Sequence, residues 1–261
     1  MSAVAREETL FLQRIYELCE RSRTRYSPEF THFLDGRELA SAKEFLLSQV
    51  GVRIVPFGGF EDAERCVIGV FPTDIYADTS DKELFQMFDV KGVCIKGSGF
   101  STFSHRDVMG SVLALGIKRE AMGDIYVPED SQSAYICMSS VAAHYVCENL
   151  EFVSRDKVRC EIIDAVMLPI PERKISVISG TVASERLDCI VSLVTKISRE
   201  KAKNLINSGL VNVNHTPELR NDYQLCDGDL LSIRGYGRFR VVEIGGLTRK
   251  GRNRIVVHKM I

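Results

Sequence analysis

The chain has 261 residues, 45% of them hydrophobic and 26% charged, a balance that places it among globular proteins and outside the disordered and collagen-like classes. No window approaches 18 uninterrupted apolar residues, so no membrane-spanning helix is expected. The net charge of −1 conceals a division, because residues 170–261 hold 16 Lys+Arg against 9 Asp+Glu, a net of +7, and residues 1–169 hold 18 against 26, a net of −8. A basic C-terminal third points to an anionic partner, with nucleic acid first among the candidates.

The opening segment, "MSAVAREETLFLQRIYELCERSR", has a helical period with Leu10, Phe11, Ile15 and Leu18 on one face. It lacks the basic end, apolar run and small-residue cleavage site of a signal peptide, which predicts a cytoplasmic protein. Ser27 before Pro28 reads as a helix start, with Phe30, Phe33 and Leu34 on its core face, and a further helix is expected around 37–49. "VRIVPFGGF" and "CVIGVFP" read as strands around the acidic turn "EDAER". The expected N-terminal domain is a small α/β unit over residues 1–80.

Residues 81–170 show a clearer order. "FDVKGVCIKG" is a strand, "SHRDVMGSVLALG" a helix capped by Ser104, and "GDIYVPED" and "SAYICMS" are strands. "SVAAHYVCENL" is a helix and "KVRCEIIDAVML" a last strand. This β-α-β-β-α-β order is that of the ferredoxin-like folds, shared by many RNA-binding domains. Base reading by such a sheet needs exposed aromatics on the central strands; only Tyr135 is a candidate and the RNP consensus is absent, so base reading of the RRM kind is not expected here. "LPIPERKI", with two prolines and a charge cluster, marks the best boundary in the chain, so the third domain is expected over 171–261. The fold class is therefore α+β in three small domains.

In the basic third, "ASERLDCIVSLVT" reads as a helix capped by Ser184 or a neighbour, with Leu187, Ile190, Val191 and Val194 inward and Arg186 outside in the first turn. "SREKAKNLINSGLVNVN" follows. Ser198 caps a helix that Gly209 ends, and Ala202, Leu205 and Ile206 form a narrow core face. Arg199, Lys203 and Asn207 recur at i, i+4 and i+8 as a polar stripe, where like charges repel unless an anion lies along them. "RGYGRFR" and "RKGRNR" add Arg234, Arg238, Arg240, Arg249, Lys250 and Arg252 on strands and turns.

Arg186-Leu187-Asp188, "SREKAKNLINSGLVNVN" and "CDGDLLSIRGYGRF" resemble, in order and spacing, the αL RNA-binding motif, the domain named after small-subunit ribosomal protein S-four. The resemblance implies two helices packed on a small twisted sheet. It places Arg186, Arg199 and Lys203 on a surface for structured RNA, with Lys196 and Arg234 nearby. "SHRDVMGSVLALGIKREAMGDIYV", together with "PEFTHFLDGRE", "RGYGRF" and this C-terminal domain, is similar to the bacterial YlmH family over essentially the whole chain. That resemblance implies binding to rRNA, with tRNA beside it, on the large ribosomal subunit, a role in rescue of stalled translation and a link to cell-division genes. It also draws attention to His105, Arg106, Lys118 and Arg119 as a second RNA-contacting patch.

Enzyme readings find little support. His105-Arg106-Asp107 lacks the asparagine that a kinase loop needs five residues on, where Val112 stands. "GSGFST" lacks the third glycine and the Walker lysine of nucleotide loops. Pseudouridine synthases carry the αL domain before a catalytic β domain, which is the reverse of this order. The eight cysteines contain no C-x-x-C, so no metal and no cofactor are expected and the thiols read as reduced and mostly buried. The expectation is a monomeric, non-enzymatic RNA-binding protein, with an RNA-modifying enzyme or a cell-division adaptor as the alternatives.

Overall fold

The computed structural model describes residues 3–60, 63–128, 132–169, 175–248 and 251–260. In chain order the elements are α1 (Ala3–Arg25), β1 (Glu29–Phe30), α2 (Gly36–Leu46), β2 (Val52–Phe57), β3 (Val67–Pro72), α3 (Thr73–Tyr76), α4 (Asp81–Phe85), β4 (Val90–Gly97) and α5 (His105–Ala114). Then come β5 (Met122–Tyr126), β6 (Ser133–Ser139), α6 (Ser140–Asn149), β7 (Phe152–Val153) and β8 (Asp156–Asp164). The C-terminal part holds β9 (Ile175–Val182), α7 (Leu187–Thr195), α8 (Arg199–Asn207), β10 (Val211–Val213), β11 (Thr216–Pro217), β12 (Leu230–Ile233), β13 (Gly237–Leu247) and β14 (Asn253–Met260). Met1–Pro171 and Glu172–Ile261 form two compact units that divide in the proline-containing segment.

In the first unit, β1, β3 and β2 make an antiparallel sheet in that order. Every residue of β3 is buried, because Ile68 and Val70 pack against α1 and α2 while Val67 and Phe71 face the other way. The predicted helix at Ser27-Pro28 does not form. Glu29 and Phe30 pair instead with Val70 and Gly69, and the Thr31 amide bonds to the Ile68 carbonyl. Long-range pairing that buries Phe33 and Leu34 outweighs a local serine-proline start signal. On α1 the buried stripe is Ile15, Leu18, Cys19 and Ser22, while the predicted core residue Leu10 is 48% exposed. The helix at 37–49 forms as α2, capped by Asp35 in a capping box with Glu38.

The second sheet of this unit runs β5-β6-β4-β8-β7, antiparallel throughout. Its four long strands and two helices keep the predicted β-α-β-β-α-β order, and Ser104 caps α5 as expected. Val108 and Val112 of α5 and Ala142, Ala143 and Val146 of α6 share one core with Val93, Ile95, Ile136 and Met138, so both helices cover the same face.

The opposite face of this sheet is only partly covered. Cys137, Leu168 and Ile163 pack into an aromatic layer with Phe57 and Phe71 from the N-terminal part and with Phe88 just before β4. A Cβ on Gly59, whose φ is +93°, would stand 2.7 Å from Leu168 and 2.9 Å from the Cys137 sulfur, which is the close approach that requires glycine there. Residues on both sides of the expected boundary at 80 thus contribute to a common core, although each keeps its own sheet.

The second unit is a six-stranded antiparallel sheet, β11-β10-β12-β13-β14-β9, with α7 and α8 on one face. Strand β9, which the sequence did not announce, pairs along its whole length with β14. The thiols follow expectation in part: Cys19, Cys66, Cys94, Cys137 and Cys189 are buried, Cys147 and Cys160 are half-buried, and Cys226 is exposed.

Candidate nucleic-acid interface

Helix α7 begins without a side-chain cap. Arg186, not Ser184, occupies the N-cap position, and the Leu187 and Asp188 amides donate to the carbonyls of Tyr223 and Asn221 at 2.8 and 3.1 Å. That loop satisfies the free amides a serine would otherwise serve, and the Ser184 hydroxyl instead meets the Cys189 sulfur at 3.4 Å. Leu187, Ile190, Val191 and Val194 are buried as expected. Lys196 ends the helix with φ of +57°, a left-handed position where a non-glycine residue is uncommon, and its side chain is exposed. Two residues on, the Ser198 hydroxyl accepts the Lys201 amide and starts α8. Ala202 and Ile206 anchor that helix, and Gly209, with φ of +67°, follows its end.

The short turn brings the two helices side by side and gathers their cations around one carboxylate. Asp188 is completely buried. Its Oδ1 accepts from Arg186 Nε at 3.2 Å, and its Oδ2 accepts from Arg199 Nη at 2.7 Å and lies 4.0 Å from Lys203 Nζ. The three cations stay 35%, 51% and 46% exposed, so each shows charge to solvent while being held from behind. Burial alone would raise the Asp188 pKa, but the hydrogen bonds from Arg199 and Arg186 outweigh it and hold the carboxyl below its ordinary range. The anion that the repelling Arg199–Lys203 stripe requires is therefore internal. One carboxylate against three cations leaves a local excess of positive charge with guanidinium N–H groups still outward, an arrangement suited to phosphate oxygens.

Asn207 completes the stripe, but its amide oxygen already accepts from Asn221 at 2.8 Å. Arg234 is exposed in the turn between β12 and β13, and its amide donates to the Leu210 carbonyl just beyond α8. Arg238 and Arg240 belong elsewhere. Phe239 and Val241 of the same strand enter the core beneath α7 and α8, so alternation turns Arg238 and Arg240 to the opposite face of the sheet. There Arg240 lies across from His258, and Arg254, absent from the sequence candidates, shares that face. The single basic surface expected from the sequence is thus divided between two faces. Arg252 is exposed and donates to the Thr181 carbonyl at 2.8 Å, while Arg249 and Lys250 lie outside the described residues.

In the first unit, His105 and Arg106 are exposed in the first turn of α5, and Lys118 and Arg119 follow its far end, about 15 Å along a ten-residue helix. Arg119 turns back, with Nη1 3.1 Å from the Met109 sulfur. Met109 stands three and four residues after Arg106 and His105, so these side chains share one stretch of helix surface. Lys118 is exposed beyond it.

Sequence reasoning missed the organising role of Asp188. The available signal was its place in Arg186-Leu187-Asp188 together with the i, i+4 cations, which need a counter-charge. Among the described residues, no three His, Cys, Asp or Glu side chains are grouped to hold a metal ion, and no helix is long and apolar enough to cross a membrane.

The helix pair presents cations anchored on a buried carboxylate within a unit of net charge +7, an arrangement complementary to a polyanion. Residues 85–166 match the family model described as "Putative RNA-binding domain in YlmH", and residues 7–75 match the model "YlmH, N-terminal". Over 254 residues the chain is 31% identical to Ribosome-associated protein quality control protein P2 of Bacillus subtilis (strain 168), covering 97% of this chain and 96% of that relative. The solved structure of Cell division protein ylmH from Streptococcus pneumoniae is 20% identical, with a TM-score of 0.49, covering 62% of this chain and 92% of that one. The chain belongs to the YlmH family.

Proposed function

We propose that this protein is a non-enzymatic RNA-binding factor. In this reading α7 and α8 grip structured RNA of the large ribosomal subunit, with tRNA beside it, and the protein serves the rescue or quality control of stalled translation. The observation that carries the reading is the Asp188-centred cluster of Arg186, Arg199 and Lys203. The cations are fixed in place before any ligand arrives, so binding phosphates loses little side-chain freedom. The name of the Bacillus subtilis relative supports the ribosomal setting.

A cavity of about 870 Å³ in the first unit is where the enzyme alternative would place a substrate. Phe57, Phe60, Phe85 and Leu168 contribute apolar walls. Its titratable lining groups are Lys43, Lys82, Asp81 and Cys66; Asp81 is paired with Arg53, and burial pushes the Cys66 thiol up to about 12, far from a reactive thiolate.

Sedimentation of tagged protein from a cell extract tests the proposal. At low salt the protein is expected to travel with large-subunit fractions and to leave them when salt is raised or RNA is digested. Protein confined to the top of the gradient at low salt, with no RNA retained on it, contradicts the proposal.

A further inference from the structure

The sheet β5-β6-β4-β8-β7 has one face closed by α5 and α6 and the other closed only in part, where Cys137, Ile163 and Leu168 meet the aromatic layer. Among the described residues, the rest of that second face carries aromatic rings and cations together, starting from Tyr135, which is half-buried at the margin of the aromatic layer. Ile125 and Ile136 point to the helices, so their neighbours Tyr126 and Tyr135, paired across β5 and β6, point away from them. The two rings lie 6.2 Å apart and within 24° of parallel, forming a two-ring shelf. By the same alternation Lys157, Arg159 and Glu161 of β8 emerge on this side, with Lys96 of β4 between Ser133 and Arg159. Phe152, 51% exposed, pairs with Lys157 at the far edge.

The charge of this area runs against its surroundings. Residues 1–169 carry a net of −8, yet here Lys96, Lys157 and Arg159 stand against Glu161, whose carboxylate Lys96 already neutralises at 2.8 Å. An apolar protein partner has no use for the two cations left, Lys157 and Arg159, and an RNA duplex has no free base faces for the rings. A single strand uses both, since its phosphates follow cations and its unpaired bases stack on rings. We propose that this open half-sheet binds unpaired RNA, with bases stacked on Tyr126 and Tyr135 and the backbone led past Arg159 and Lys157 toward Phe152. The proposal rests on the RNA-binding reading above and adds a second RNA class, single-stranded, at a site separate from α7 and α8.

Fluorescence anisotropy of the full-length protein with a labelled oligouridine and, separately, with an RNA hairpin whose stem is closed by a short non-nucleotide linker in place of the loop tests it. Tyr126→Ala with Tyr135→Ala is expected to weaken oligouridine binding about tenfold or more while leaving hairpin affinity unchanged, and Phe at both positions should keep the wild-type value. Lys157→Glu with Arg159→Glu, both exposed positions, should weaken oligouridine in the same way and covers the case in which the alanine variant folds poorly. Arg199→Ala with Lys203→Ala should weaken the hairpin and spare oligouridine. Oligouridine affinity unchanged in both the tyrosine and the charge-reversal variants overturns the half-sheet site and leaves the helix grip standing. Wild-type protein that binds the hairpin but not oligouridine does the same. Wild-type protein that binds neither RNA overturns both.

Discussion

Replacing Arg199 and Lys203 together by alanine is expected to lower affinity for structured RNA by about tenfold to a hundredfold at low salt and to flatten its salt dependence. Each phosphate contact made by Lys or Arg releases about one condensed counterion, so two lost contacts should reduce the slope of log K against log salt by roughly 1.5 to 2. Both side chains are about half exposed, the helix anchors Ala202 and Ile206 stay in place and Arg186 still pairs with Asp188, so the fold should survive the change with some loss of stability. Asn204→Ala, on the same helix but outside the stripe, is the matched control and should change neither affinity nor slope. Binding isotherms collected across a salt series decide the matter. A double variant whose slope equals that of the wild type would remove α8 as the contact surface.

Asp188→Asn is expected to reduce stability by about 2 kcal/mol and to weaken RNA binding as well. Asparagine keeps the size of the side chain but leaves Arg186, Arg199 and Lys203 without their shared counter-charge. Breaking a fully buried pair costs about 3–5 kcal/mol, and the half-exposed cations here bring that down. The pH dependence has a definite sign. The folded carboxyl titrates below its unfolded value of about 3.9, so its contribution is fully present above that value and is lost as pH falls through the depressed folded pKa. Melting curves of the wild type and Asp188→Asn should therefore differ at neutral pH and converge in acid. A gap that stays constant down to the acid limit contradicts the ion-pair account. The RNA result separates positioning from charge, because the variant patch is more positive by one unit. Stronger binding by Asp188→Asn would show that net charge, not the arrangement imposed by Asp188, governs the grip.

What the sequence conveyed and what it withheld follow from the range of the forces involved. The elements from β4 to β8 were legible because period-2 and period-3.6 patterns there agree with the turns and caps between them, down to Ser104. The two helices of the basic unit were legible for the same reason, with Ser198 and Gly209 at the ends of α8. Local signals were overridden where a distant segment supplied the hydrogen bonds or buried surface instead. Ser27-Pro28 offered a helix start, but β3 supplied hydrogen bonds and a buried surface that made Glu29–Phe30 a strand. Ser184 offered a cap, but carbonyls of Asn221 and Tyr223 arrived first.

The interface divides along the same line. The i, i+4 stripe of Arg199 and Lys203 is a local property and could be read directly. That Asp188 sits behind both is a property of the turn between helices, which depends on Lys196 adopting a left-handed conformation. The strand arginines are separated by register. Arg238 and Arg240 flank Phe239, and once that ring enters the core both must face away from α7 and α8. Basic composition alone says nothing about which face receives a charge. Likewise Tyr135 was visible as a single candidate, and its partner Tyr126 became apparent only through the pairing of β5 with β6.

The proposed grip on RNA belongs to the cation cluster on α7 and α8. Crosslinking the protein to RNA in living cells, followed by sequencing of the attached RNA, tests it most directly. The account predicts reads concentrated in large-subunit rRNA and tRNA for the wild type, with the rRNA signal strongly reduced by Arg199→Ala with Lys203→Ala. No RNA above the level of an uncrosslinked control, or an rRNA signal unaffected by that double substitution, would contradict it.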